Sequence, residues 1–138
     1  MKLSISSDIL INAPAEKVWS ILMDFEKYPD WNPLVKEIKG NPEVGNTISV
    51  SLPGMNFKPE VLALKENSEF RWKGKLLFKG LFDGEHYFIL EERDGGVELF
   101  HGEYFSGLLV GMLRKKLEGE TLDGFKAMNE SLKKLAEA

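Results

Sequence analysis

Leu3, Ile5, Ile9 and Ile11 occupy odd positions, with Ser4, Ser6, Asp8 and Leu10 between them. A period of two is the signature of a strand with one face against a core, so this stretch predicts a half-buried strand. Asn12-Ala13-Pro14 follows, with proline where helices begin, and Val18, Trp19 and Leu22 within Ala15–Met23 take helical spacing. A short amphipathic helix is expected there. Tyr28-Pro29-Asp30-Trp31-Asn32-Pro33 interrupts it twice, because each proline disfavours helical geometry in the residue before it. The result is a compact, aromatic-rich connection. Between residues 34 and 106, apolar stretches are punctuated by Gly40-Asn41-Pro42, Gly45-Asn46, Pro53-Gly54, Glu66-Asn67-Ser68 and Asp94-Gly95-Gly96. These turn signals predict about six further antiparallel strands. Finally, Leu109, Leu113, Leu117, Phe125, Met128, Leu132 and Leu135 recur at threes, fours and one eight, with Lys115, Glu118, Lys126, Glu130 and Lys133 on the other side. That spacing predicts one amphipathic helix of roughly 28 residues, far above the usual length.

No repeat, low-complexity stretch or linker divides the chain, so residues 1–138 read as one domain. The element order predicts an α+β fold: a curved antiparallel sheet of about seven strands around a long C-terminal helix, with two short helices after the first strand. Composition narrows the function classes. The net charge is −4, and the longest basic stretch is Arg114-Lys115-Lys116, too little to neutralise a run of phosphates, so no nucleic-acid partner is expected. The absence of cysteine excludes disulfides, thiolate metal sites and cysteine nucleophiles. The N-terminal residues lack the apolar core of a signal peptide, and no apolar run approaches the ~20 residues of a membrane span. The expectation is a cytoplasmic protein without an integral membrane segment. Phe57, Phe70, Trp72, Phe82, Phe88, Phe100 and Phe105 bring large rings to the strands, either to fill a solid core or to wall a cavity.

Several runs resemble a known family. Ile11-Asn12-Ala13-Pro14-Ala15-Glu16-Lys17-Val18-Trp19 and Tyr28-Pro29-Asp30-Trp31-Asn32-Pro33 are similar to the opening of the polyketide cyclase/dehydrase-like branch of the START-related lipid-transfer (SRPBCC) superfamily. Phe70-Arg71-Trp72-Lys73-Gly74, Gly80-Leu81-Phe82-Asp83-Gly84-Glu85-His86 and Gly102-Glu103-Tyr104-Phe105-Ser106-Gly107-Leu108-Leu109-Val110 resemble later strand and helix-start segments of bacterial members. The resemblance covers nearly the whole chain and rests on the order of these runs rather than on one short motif. It implies a helix-grip fold in which sheet and helix enclose an apolar tunnel, and hence a hydrophobic small molecule as partner. One fold hosts many activities, so chemistry must come from the site.

Only two histidines occur, His86 and His101, on strands joined by Arg93-Asp94-Gly95-Gly96. An even-numbered hairpin loop sets His86 opposite His101 or Glu103, on the face that also carries Phe88, Leu90, Val97, Leu99 and Phe105. Two readings fit this trio. It is a buried hydrogen-bond network satisfying itself, or a polar patch that orients a carbonyl or hydroxyl and moves a proton, with His86, His101 and Glu103 as catalytic candidates. A metal site would crowd its ligands on one hairpin, and neither metal nor cofactor is expected. The ligand-binding set is Trp31, Trp72, Phe82, His86, Phe88, Leu99, His101, Glu103, Phe105, Leu109, Leu113 and Leu117. Leu52-Pro53-Gly54-Met55 and Leu76-Leu77-Phe78-Lys79-Gly80-Leu81 are apolar loops suited to a pocket mouth. No Gly-x-Ser-x-Gly, phosphate-cradling glycine loop or His-Glu-x-x-His occurs. A carrier or sensor of a lipid, polyketide, isoprenoid or aromatic compound is the leading expectation. A polyketide cyclase or dehydratase is the second, although Tyr87 and Tyr104 fall on the opposite face. A protein-interaction module of chaperone-activator type is the third, weakened by the charged outward positions Asp83, Glu85, Glu91 and Glu98.

Overall fold

The structure is a computed structural model and describes residues 2–138. Strand β1 (Lys2–Ile11) sends Ile5, Ser7 and Ile11 inward and leaves Leu10 exposed, as the period of two requires. Helix α1 (Ala15–Met23) buries Val18, Trp19 and Leu22. A 3-10 turn at Phe25–Lys27 leads into α2 (Tyr28–Trp31), whose early proline lacks only an N–H that would have no helical partner. Tyr28 is fully buried and its hydroxyl donates to the Leu22 carbonyl at 2.7 Å. Asn32 Oδ1 accepts from the backbone N–H groups of Leu34 and Val35 and closes the connection.

Seven strands follow: β2 (Glu37–Lys39), β3 (Ser49–Leu52), β4 (Met55–Phe57), β5 (Glu60–Lys65), β6 (Glu69–Lys75), β7 (Asp83–Arg93) and β8 (Gly96–Ser106). The total among the described residues is eight rather than about seven. The added strand is β4, only three residues long, which pairs with β3 through a two-residue turn at Pro53-Gly54. Leu52–Met55 is therefore a hairpin tip, not a free loop. One antiparallel sheet runs β1-β8-β7-β6-β5, and β2-β3-β4 form a second, linked to it by the Thr47–Glu60 bridge.

The β7–β8 hairpin sets the site. Asp94-Gly95 forms its loop between the pair Arg93 and Gly96, with Gly95 at φ 80, a conformation glycine adopts without steric penalty. Counting back gives Leu90 opposite Leu99, Phe88 opposite His101 and His86 opposite Glu103.

The C-terminal helix is continuous from Val110 to Glu137 but not uniform: α3 (Val110–Lys116), a π-helical segment (Leu117–Thr121) and α4 (Leu122–Glu137). The wide segment coincides with the eight-residue gap between Leu117 and Phe125. In a regular helix eight residues make about 2.2 turns and throw the second residue off the stripe; one wide turn absorbs the surplus. Leu117 and Phe125 are thus both buried. Leu135, expected on the same stripe, is 41% exposed, and Ala136 takes the inward place. The helix end is tied to β1: Glu137 accepts from the Asn12 N–H, and Lys133 donates to the Leu10 carbonyl.

Between sheet and helix the buried side chains form two clusters. The larger holds Val18, Leu22, Tyr28, Phe70, Trp72, Phe88, Leu99, Met128 and Leu132 among others. The smaller holds Ile5, Phe82, Phe105, Val110, Leu117 and Phe125, rimmed by the half-buried Leu3, Leu34, Leu76, Leu109, Leu113 and Leu122.

Candidate functional site

Facing pairs on β6, β7 and β8 bring Trp72, His86 and Glu103 into one row across the inner face, with His101 one pair further along β8. Aromatic rings seal the histidines. Trp72 stacks on His86 at 4.6 Å, while Phe88 and the helix residue Phe125 each lie 4.4 Å from His101. His101 is fully buried and His86 is 5% exposed; the Glu103 side chain keeps 16% exposure.

A continuous hydrogen-bond chain crosses this site. Glu103 Oε1 lies 3.0 Å from His86 Nδ1, His86 Nε2 lies 2.7 Å from His101 Nε2, and His101 Nδ1 lies 2.8 Å from Asn129 Oδ1. Asn129 Nδ2 donates to Ser7 Oγ at 2.9 Å, and Ser7 Oγ donates to the His101 carbonyl at 2.7 Å.

The far end dictates the direction of every bond. The carbonyl of His101 can only accept, so the single Ser7 proton goes to it and Ser7 Oγ must accept from the Asn129 amide. Asn129 Oδ1 then faces His101 and receives its Nδ1–H. A neutral His101 has only a lone pair left at Nε2, so His86 donates from Nε2–H. A neutral His86 then offers a lone pair at Nδ1, which only a protonated Glu103 can satisfy. The chain closes with no net charge when Glu103 is a carboxylic acid.

Electrostatics point the same way. Burial raises the Glu103 carboxyl to about 8 and lowers His86 to about 3. Burial, and next the neighbouring His86, hold His101 well below its ordinary range, with the Asn129 bond and the Phe125 backbone opposing in part. Moving one proton from Glu103 to His86 Nδ1 yields an imidazolium–carboxylate pair and disturbs no other bond. The buried setting favours the neutral pair.

Gly84 makes room for this acid: a Cβ there would collide with Glu103 Oε2. That oxygen makes no hydrogen bond among the described residues, and it belongs to the one member of the trio with appreciable exposure.

Of the residues named from the sequence, the structure places Trp72, Phe88 and Leu99 in the larger cluster, with Trp31 half-buried against it. Phe82, Phe105 and Leu117 lie in the smaller cluster, with Leu109 and Leu113 on its rim. Tyr87 and Tyr104 sit together on the outer face, rings 5.4 Å apart, away from the trio. Asp83, expected to point outward, is buried and accepts from the Gly80 N–H. Ser7, Asn129 and Phe125 complete the site and were not in the expected set. Each carried a signal: Ser7 is the one polar side chain on the inward positions of β1, and Asn129 falls beside Met128 and Leu132 on the helix stripe. Two surface clefts, of about 380 and about 420 Å³, lie elsewhere, one around Asn12–Glu16 and the β7–β8 turn, the other along β5, β6 and Lys79.

The family described as polyketide cyclase / dehydrase and lipid transport matches residues 2–137. The chain belongs to this family. No curated protein matches it in sequence. Among solved structures, this polyketide cyclase/dehydrase family member is similar to protein MLL2253 from Mesorhizobium loti, at 22% identity over 96% of each chain with TM-score 0.76. It is also similar to a START superfamily protein from Mycobacterium smegmatis, at 24% identity over 97% of each chain with TM-score 0.73. The di-domain ARO/CYC StfQ from the steffimycin biosynthetic pathway matches at 14% identity and TM-score 0.78, over 99% of this chain and 52% of that one. The chain thus spans about half of StfQ. These likenesses show the START-like helix-grip fold. No helix among the described residues is long and apolar enough to cross a membrane.

Proposed function

We propose that this family member holds an apolar small molecule bearing a carbonyl or hydroxyl group, as its carrier or sensor, with the ligand's polar group at Glu103. The observation that carries this reading is the buried Glu103 carboxyl beside the smaller cluster, at the end of a hydrogen-bond chain that closes when it is neutral, with one oxygen free of hydrogen bonds among the described residues. Beyond it stand six leucines that are only half-buried. An acid kept neutral by burial donates to a ligand oxygen without the desolvation penalty of a charge. The histidines, sealed behind rings, serve to hold that acid in place rather than to touch the ligand. Membership of a polyketide cyclase / dehydrase and lipid transport family, and likeness to the ARO/CYC protein StfQ from the steffimycin biosynthetic pathway, support an apolar ligand of lipid or polyketide type.

The test is native mass spectrometry of the purified protein with a thermal-shift screen of fatty acids, quinones, flavonoids and polyketide-like aromatics. A co-purifying apolar compound, or a melting point raised by one chemical class, is expected, since a ligand of the folded state alone must stabilise it. Glu103→Leu should weaken that ligand about tenfold, the loss of one buried hydrogen bond. No bound compound and no shift across the screen would overturn the reading.

The proton chain favours a second reading, a cyclase or dehydratase of polyketide-like substrates. In the ion-paired form Glu103 is a carboxylate, able to take a proton from carbon next to a carbonyl while His86 carries the balancing charge. Conversion of a bound polyketide-like ligand by the wild type and not by Glu103→Gln, with affinity retained, would assign catalysis.

A further inference from the structure

Among the described residues ten large apolar side chains are exposed, and four of them gather at one end of the molecule: Leu77 at 82%, Phe78 at 56%, Leu108 at 81% and Met112 at 79%. Leu77 and Phe78 belong to the loop between β6 and β7, and Leu108 and Met112 to the start of the long helix. Backbone bonds knit the two segments together, from Leu108 N–H to the Gly80 carbonyl and from Leu109 N–H to the Leu81 carbonyl, each 3.0 Å. Gly107, at φ 122, permits this approach, because a Cβ there would meet the Leu81 and Gly80 carbonyls.

Leu77 adopts φ 63, a left-handed conformation that leucine avoids. The loop therefore spends backbone strain on presenting a large apolar side chain to water, and strain of this kind collects at functional sites.

The charge around this apolar tip is mostly positive. Lys75 and Lys79 flank the loop and, with Lys58 and Lys73, line the cleft of about 420 Å³ beside it. Lys115 and Lys116 lie one turn from Met112 on the helix surface. Of the acids close by, Asp83 is buried against Gly80, Glu118 is paired with Arg114, and Glu60 alone stands open in the cleft. A chain with net charge −4 thus shows a basic collar around Phe78 and the three most exposed large apolar side chains of the described residues. Apolar tips with lysines behind them match a bilayer with anionic headgroups: the tips enter the acyl boundary and the ammonium groups remain at the phosphates.

We infer that this end of the molecule, Leu77, Phe78, Leu108 and Met112 within their lysine collar, docks peripherally on an anionic lipid bilayer. The half-buried leucine rim of the smaller cluster includes Leu76 and Leu109, the neighbours of these tips, so docking sets the proposed ligand entrance against the lipid. The docking itself stands on exposure, strain and charge, apart from the ligand reading.

The test is co-flotation of the full chain with phosphatidylcholine vesicles, with and without phosphatidylserine. The wild type is expected to float with the phosphatidylserine vesicles and to be released by salt. Leu77→Asp/Phe78→Asp and, separately, Lys75→Glu/Lys79→Glu should each weaken binding about tenfold or more. All four side chains are exposed, so unchanged melting points should confirm folded variants, and an unchanged thermal shift with a soluble ligand would separate docking from the pocket. No flotation, flotation indifferent to phosphatidylserine, or variants that bind like the wild type would overturn the proposal. So would sedimentation showing that the tips instead hold two copies of the chain together.

Discussion

Glu103 and the two histidines pull stability in opposite directions with pH, and their balance can be worked out. Below its folded value of about 8 and above its ordinary 4.5, Glu103 is protonated in the folded chain and ionised in the unfolded one, so its contribution falls as pH rises. His86 is neutral in the folded chain above about 3 and charged in the unfolded chain below 6.5, and the lowered His101 behaves alike, so their contributions rise with pH up to about 6.5. Two histidines outweigh one acid between pH 4.5 and 6.5, and the acid acts alone from there to about 8. From these three groups stability should therefore peak near pH 6.5 and then fall by about 1.4 kcal/mol per pH unit up to pH 8. Urea denaturation across a pH series should show that limb in the wild type and a flat line in Glu103→Gln. Gly84→Ala should flatten it too, because the added methyl evicts the carboxyl from its place. A limb that persists in Glu103→Gln would mean that another group titrates. The trio was legible in the sequence because a two-residue hairpin fixes register from its turn outward. Asn129 and Ser7 were harder to see: each is one polar residue on an otherwise apolar stripe, and only the packing of helix on β1 shows that they meet.

At the scale of elements, the long helix had a readable length but a hidden irregularity. The eight-residue gap between Leu117 and Phe125 is a spacing no regular helix can keep on one face, and the π-segment at Leu117–Thr121 resolves it. This yields expectations for two changes at one residue. A Cβ at Gly119 meets nothing within 4 Å, so Gly119→Ala should stabilise by up to about 1 kcal/mol through helix propensity. Deleting Gly119 removes the surplus residue, and the seven-residue step then left makes about 1.9 turns of regular helix, so Phe125, Met128 and Asn129 should keep facing the sheet and stability should change by about 1 kcal/mol or less. Urea denaturation of the two proteins measures both, and a severely destabilised deletion would show that the wide turn does more than absorb one surplus residue. The same physics explains the missed strand. β4 has three residues, too few for an alternating pattern, and Pro53-Gly54 read equally well as an apolar loop or a hairpin turn.

Across the whole molecule the two clusters divide the inner face of the main sheet and the length of the long helix. Among the described residues the larger buries twenty-one side chains against eight half-buried neighbours, with Val18, Leu22, Leu99 and Leu132 all at 0% exposure; the smaller buries only six and is ringed by as many half-buried leucines. A protein that admits an apolar ligand must open somewhere, and opening is least costly where little apolar area is already buried. Leu34 packs against both clusters, so it marks their boundary. Stability and ligand affinity should then separate by position along the same helix. Leu132→Ala empties fully buried space and should cost about 2–5 kcal/mol of folding free energy while leaving affinity within about twofold, as long as the chain stays folded. Leu113→Ala removes a half-buried side chain and should cost about 1 kcal/mol or less, yet shift ligand affinity several-fold, since that side chain would touch the ligand. Urea denaturation and titration of the compound found by thermal shift measure the two quantities on the same preparations. If Leu113→Ala binds like the wild type while Leu132→Ala loses affinity, the ligand lies in the larger cluster and the entrance must be sought on the α1 side. If each change moves only the quantity assigned to it, the helix has one end that holds the fold and another that serves the ligand.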